Sequence, residues 1–275
     1  MKIKKMDILF FIIALIILTF LIGALVQHQR FQKEVKLLFS QSKDISNQRF
    51  SLDQLSGLPE PVQQYFKHVL KEDQPYISYV RLKHDGQFKP GFDNDWVAIQ
   101  GEQYFTTQTP GFIWKGKTSI ATAYDSYVSG KGSLRVVLLS LFKVVDAYGE
   151  SFDQGELLRW LGESFWFPTN LLPSEKLKWS PIDANSAQLT FEHNNLSLNY
   201  TVNFNENHEV ISVETKRYME ENRLETWFGE FSKYQEINGI IVPTLIKATW
   251  KLKEGDHNYV DFHLKEIEYD KPEMF

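Results

Sequence analysis

Hydrophobic and polar positions divide the chain into three unequal stretches. From Ile8 to Val26 no charged residue occurs and only Thr19 is polar. As a helix this run spans about 28 Å, close to the hydrocarbon thickness of a bilayer. It predicts a transmembrane helix. A cleavable signal peptide normally has a shorter apolar region followed by a small-x-small cleavage site. Here the run ends in GALVQHQ, where Gly23 and Ala24 match that pattern poorly, so an uncleaved anchor is the reading. Between Gln27 and Leu55 polar residues dominate, with apolar residues at Val35, Leu37, Leu38 and Phe39 among them. That stretch predicts a helical stalk continuing the anchor, followed by a linker.

The third stretch changes period. In LPEPVQQYFKHVL (Leu58–Leu70), Val62, Tyr65, Phe66, Val69 and Leu70 recur at helical spacing after Pro59 and Pro61, which marks an amphipathic helix. From Tyr76 onward the period becomes two. YISYVRLKHDGQFK, DWVAIQGEQYFTT, GFIWKGKTSI and ATAYDSYVSG alternate or nearly so, and strands resume at KLKWSPID after a helical interlude around Ser151–Ser164. Asn194–Asn195, Asn205–Asn207, Asn238–Gly239 and Gly255–Asp256 read as hairpin turns. About ten strands joined by short turns imply an antiparallel meander, which must twist, curl and cover one face. LRVVLLSLFKVVDAYG (Leu134–Gly149) is ambiguous, but apolar residues at 134, 137, 138, 141, 142 and 145 favour a helix. The predicted fold class is therefore α+β: an N-terminal transmembrane helix, then a strongly curved antiparallel sheet, an open barrel-like meander, covered by a few short helices. The expected division is 1–27 anchor, 28–57 stalk and linker, 58–275 one β-rich domain.

Composition narrows the partners. The net charge is −5 and no Lys/Arg block lies beyond the N-terminus, which argues against a nucleic-acid footprint. Cysteine is absent, which excludes disulfides, thiolate metal sites and a cysteine nucleophile. Lys2, Lys4 and Lys5 lie closer to the apolar run than Arg30, Lys33 and Lys36 do, which places the C-terminal domain outside the cytoplasm. The expected address is the cell membrane, crossed once by residues 8–26.

Most catalytic signatures are missing. No G-x-S-x-G occurs, and SGKGS (Ser129–Ser133) lacks the spacing of a phosphate-binding loop and reads as a tight turn. The seven histidines form no H-x-H or H-x-x-x-H pair, and neither a metal nor a cofactor is expected. Glu102, Asp125 and Glu163 sit among aromatics and are the candidates for general acid–base work, as in a hydrolase. Arg159 lies one turn before Glu163, so a structural ion pair weighs more than catalysis. In SFDQGELLRWLGES, Asp153 reads as an N-cap with Glu156 as its capping-box partner, and FPTNLLP as an extended exit.

LPEPVQQYFKHVL, GEQYFTTQTPGFIW, YDSYVSGKGSL, RWLGESFWFPTNLLP, DANSAQLTF and the late TWFGEFSKY…GIIVP…W sections resemble, in order and spacing, an uncharacterised bacterial family of the DUF6544 type. The resemblance runs from about Leu58 to the C-terminus. It implies N-terminal membrane segments and brings no catalytic residues. At the level of fold the chain also resembles open β-barrels that carry lipoproteins or bind lipids in the bacterial envelope. The reading that follows is an envelope binding module for an apolar or lipid-like molecule. Trp114, Trp160, Phe165, Trp166 and Trp227 would line its cavity, and Glu102, Arg159 and Glu163 would make its polar contacts. The alternatives are a hydrolase and a structural envelope protein without ligand.

Overall fold

The computed structural model describes residues 5–275. Its first element, α1, runs unbroken from Lys5 to Ser40. Lys2 and Lys4, two of the charges that weigh on orientation, lie outside the described residues. Most apolar side chains from Met6 to Val26 are exposed, and among the described residues this is the one helix long and apolar enough to cross a membrane. Beyond Gln27 the helix changes character. Phe31, Val35, Leu38 and Phe39, spaced i, i+4, i+7 and i+8, are buried against Tyr79, Tyr104, Ile113, Tyr124 and Val137. The helical part of segment 28–57 thus lies on the sheet.

α2 (Glu60–Val69) forms as its spacing predicts and buries Val62, Tyr65, Phe66 and Val69. Six strands follow: β1 (Tyr79–Phe88), β2 (Val97–Thr106), β3 (Gly111–Lys117), β4 (Ala121–Val128), β5 (Lys131–Leu138) and β6 (Phe142–Tyr148). Then comes α3 (Glu150–Glu163). The chain ends in β7 (Leu177–Asp183), β8 (Ser186–His193), β9 (Leu196–Phe204), β10 (Val210–Glu220), β11 (Arg223–Ile237), β12 (Ile240–Leu252) and β13 (Gly255–Tyr269).

All thirteen strands form one antiparallel sheet in the order β6-β5-β4-β3-β2-β1-β13-β12-β11-β10-β9-β8-β7. Each half is a meander, and β1 pairs with β13 to join them. β6 and β7 are the two free edges, so the sheet is not closed, and α3 carries the chain from one edge to the other. That crossing reveals the curvature. α3 packs on β5 and also on β10, eight positions away in the sheet, a distance of about 38 Å if the sheet were flat. One helix of about 10–12 Å diameter reaches both only if the sheet wraps around it. A strongly curved, helix-covered open meander is the observed architecture.

Three local expectations are corrected. Leu134–Gly149 is the β5–β6 hairpin, not a helix. Its apolar run reflects cover on both sides of β5: Arg135 and Val137 face α1, whereas Gly132 faces α3. Asp153 is not an N-cap; α3 starts at Glu150 after Gly149. Its carboxylate instead accepts from the Gly132 amide and from Lys131 Nζ, both at 2.8 Å, tying α3 to the β4–β5 turn. FPTNLLP is not extended. Short 3-10 turns at Ser164–Trp166 and Pro168–Leu171 follow α3, pinned by Asn170 donating to Ser164 Oγ at 2.9 Å.

Candidate functional site

The concave face carries all but one of the residues singled out by sequence, and α3 brings most of them together. Arg159 donates to Asp125 of β4 at 2.6 Å and to Glu163, one turn further along α3, at 2.9 Å. Gln103 of β2 donates to the other Glu163 oxygen at 2.7 Å. Toward the opposite half of the sheet, Arg217 of β10 donates to Glu156 at 3.1 Å. These ion pairs staple the helix to both meanders. The guanidinium of Arg159 lies 4.9 Å from the Trp114 ring and 5.0 Å from Phe112. Arg217 stands 5.9 Å from Trp227.

Burial sets the electrostatics. It works against the charge of Arg159, but Glu163, Asp125 and Glu156 outweigh it and hold the guanidinium above its ordinary pKa. Burial raises Glu163, with Arg159 and Gln103 opposing. Glu156 is pushed up to about 8 by burial and then by the charge of Asp125, with Arg217 and Arg159 opposing.

The five aromatic candidates are all core. Trp114, Trp160, Phe165, Trp166 and Trp227 are at most 8% exposed, and their indole donors are satisfied within the fold. Trp160 donates to the Thr106 carbonyl at 2.9 Å, Trp166 to that of Pro243 at 3.0 Å, and Trp227 to the Tyr259 hydroxyl at 2.8 Å. Trp114 donates to His84 Nε2 at 2.8 Å, so that nitrogen carries no proton. Burial holds His84 neutral by lowering its pKa to about 4. The close approach of these rings needs glycine. A Cβ on Gly101 would fall 1.8 Å from His84 Nε2, and one on Gly116 would fall 2.1 Å from the Trp114 ring.

Glu102 is not part of this cluster. Side chains alternate across β2, so Gln103 faces α3 while Glu102 points to the convex side, where it pairs with Lys115 and accepts from Tyr104. The three candidate carboxylates therefore stand on two sides of the sheet. Glu156 and Arg217 were not singled out as site residues. Glu156 sits three positions before Arg159 and shares its helix face, a legible signal; Arg217, in an ordinary strand, offers none. Among the described residues, no group of three His, Asp or Glu side chains is placed to hold a metal ion.

Open volume lies elsewhere. A groove of about 490 Å3 runs between the packed end of α1 and strands β3–β6, reaching round the sheet edge to the start of α3 at Asp153. Leu37 and Glu34 of α1, Ile113, Val128, Tyr148 and Lys131 form its walls. Its lining is mostly apolar; its charged groups are Glu34 and the Lys131–Asp153 ion pair. A second opening of about 790 Å3, at Gly86, Gln100, Lys117 and His263, is shallower and more polar.

Comparison with known proteins adds the following. The family model described as "Family of unknown function (DUF6544)" matches residues 48–262. No curated protein matches the chain. Among solved structures, a LolA superfamily protein from Nitrosomonas europaea is 13% identical, with 78% of this chain and 95% of that one covered and a TM-score of 0.38. A putative outer membrane lipoprotein-sorting protein domain from Vibrio parahaemolyticus is 9% identical, with 77% and 91% covered and a TM-score of 0.39.

Proposed function

We propose that this chain, which belongs to the DUF6544 family of unknown function, is a single-pass membrane protein that binds an apolar, lipid-like molecule beside its anchor. Residues 8–26 serve as the span, and 28–57, through the packed end of α1, fixes that span to the β-rich domain of 58–275. The lysines at the N-terminus keep that end in the cytoplasm and put the domain on the other side.

The observation that carries the reading is the position of the groove. One wall is α1 itself, at Glu34 and Leu37, only 8–11 residues or about 12–17 Å along the helix beyond the end of the apolar run. Its volume falls within the range of small-molecule sites, and its walls are mostly apolar, with Glu34 and the Lys131–Asp153 pair to orient a polar end. Retention of α1 is supported by its packing. The helix passes without interruption through the poor cleavage match at Gly23–Ala24, and Phe31 and Val35 are fully buried a few residues later. On this reading the concave Trp cluster and its ion pairs are the rigid support, and the ligand sits across the sheet from them.

Native mass spectrometry of the full chain in detergent, with extraction and analysis of bound lipid, tests the proposal. We expect an apolar adduct on the wild-type protein. Ser133→Trp, which places an indole in the groove, is expected to remove it while the circular dichroism spectrum stays unchanged. A bare chain mass for the wild type, or an adduct that survives Ser133→Trp, contradicts the proposal.

A further inference from the structure

A small contact near the end of the apolar run fixes more than the helix. Gly23 is buried, although most of its neighbours on α1 are exposed. A Cβ there would lie 2.5 Å from Leu141 Cδ2 and 2.8 Å from the Ser140 carbonyl, so α1 and the tip of the β5–β6 hairpin touch with no room for a side chain. Gly23 stands three residues, or about 4.5 Å, before the last residue of the run at Val26. The tip is thus level with the final apolar turn of the anchor. Arg135 holds it there, donating to Gln27 at 2.5 Å and stacking 4.1 Å from the Tyr124 ring.

The tip is also apolar and open. Leu139 is 49% exposed and Phe142 is 60% exposed. Beside them Ile120, 62% exposed, belongs to the neighbouring β3–β4 turn, where its carbonyl accepts from the Leu139 amide at 2.9 Å. Turn chemistry makes the leucine conspicuous. Leu139 and Ser140 have φ of 49° and 62°, both left-handed, at the centre of a turn in which the Leu141 amide donates to the Leu138 carbonyl at 3.0 Å. The other turns with two successive positive φ values use Ser129–Gly130, Asn194–Asn195 and Asn238–Gly239. Those residue types tolerate that backbone; a bulky leucine does not do so without strain. Leu139 therefore serves the turn poorly, and an apolar surround would account for it.

From the contact at Gly23, the exposed leucine and phenylalanine, and the strained turn, we infer that the β5–β6 hairpin tip is a second membrane contact, inserted at the boundary of headgroups and acyl chains beside the anchor. The occupant of this apolar surface is the same bilayer that α1 crosses, because the two surfaces are continuous at Gly23. The inference rests on the reading of α1 as a span. Its consequence is a fixed pose: a domain held at two points cannot swing on a stalk, and the groove beside α1 keeps a constant height above the lipid.

The absence of cysteine makes the test direct. Leu139→Cys, Ile16→Cys and Asn238→Cys, each in the full chain, carry an environment-sensitive fluorophore in phosphatidylcholine–phosphatidylglycerol vesicles. Lipid-borne nitroxides quench from the headgroup or from mid-chain. Ile16 should be quenched from mid-chain, Leu139 from the headgroup or upper chain, and Asn238, at the far end of the sheet, from neither. Quenching at Ile16 with none at Leu139 overturns the inference and leaves the anchor standing. No quenching at Ile16 overturns both. Shielding of Leu139 from aqueous iodide without lipid quenching identifies a protein partner, such as a second copy, and also overturns the inference. A second variant separates contact from turn stability. Leu139→Asn with Ser140→Gly should raise the thermal midpoint yet weaken lipid quenching at a Phe142→Cys probe. Unchanged quenching there contradicts a seated tip.

Discussion

Arg159 makes two ion pairs and two ring contacts from a position nearly sealed from water. Removing one member of such a set leaves the others charged and unpaired, which costs about 3–5 kcal/mol. Arg159→Ala should lower stability by that order in chemical unfolding of the full chain in detergent, followed by tryptophan fluorescence. Glu156 makes a separate prediction about pH. Its carboxyl ionises near its ordinary value of 4.5 in the unfolded chain and is pushed up to about 8 when folded. Between those values the unfolded chain binds fewer protons, so stability falls as pH rises, by up to about 1.4 kcal/mol per unit. Glu156→Gln should flatten that decline between pH 5 and pH 8; an unchanged slope would show that Glu156 is not the buried acid. At this scale the sequence was partly legible. The i,i+4 spacing of Arg159 and Glu163 announced their pair, and Asp125 was singled out for its aromatic setting. That Asp125 meets Arg159, that Glu102 turns away from both, and that Arg217 completes the network depend on strand register across distant segments, which no local pattern encodes.

Elements were read well where one face is buried and poorly where two are. α2 and strands such as β9 show the one-sided periods that cover by a single neighbour imposes. β5 lies between α1 and α3, so its run of apolar residues imitated a helix and concealed a hairpin. α1 combines both cases along one helix: exposed apolar residues up to Val26, then a buried stripe at Phe31, Val35, Leu38 and Phe39. The stripe was visible as isolated apolar residues in a polar segment, but its partner, the convex face of β1–β5, was not. Phe31 is fully buried between Tyr104 and Tyr124, with ring centroids at 6.0 and 5.9 Å. Phe31→Ala should therefore cost about 3–5 kcal/mol, whereas Phe11→Ala, on the exposed run, should leave the unfolding midpoint in detergent unchanged. Equal effects of the two substitutions would show that α1 does not dock on the sheet.

At the scale of the molecule, one topological fact organises the rest. The chain leaves the sheet at one edge and re-enters at the other, so α3 must cross the hollow and becomes its filling. Thirteen strands are more than an open twisted sheet usually holds without curling, and the ion pairs of α3 to both halves hold the curl in place. The concave side is filled by core and α3, and the 490 Å3 groove is bordered by α1. The aromatic side chains of the concave face are packed as core, with their indole donors satisfied within the fold. Tether and groove wall are the same helix, which links the predicted membrane attachment to the predicted ligand.

Photo-crosslinking tests that link most directly. The full chain would be reconstituted with a phospholipid carrying a diazirine near the end of one acyl chain, irradiated, digested and mapped by peptide mass spectrometry. Adducts are predicted on the span and also on groove residues, Leu37, Val128 and Tyr148 in particular, with the groove adducts lost in Ser133→Trp. Labelling confined to residues 8–26, with none in the groove, would contradict the account.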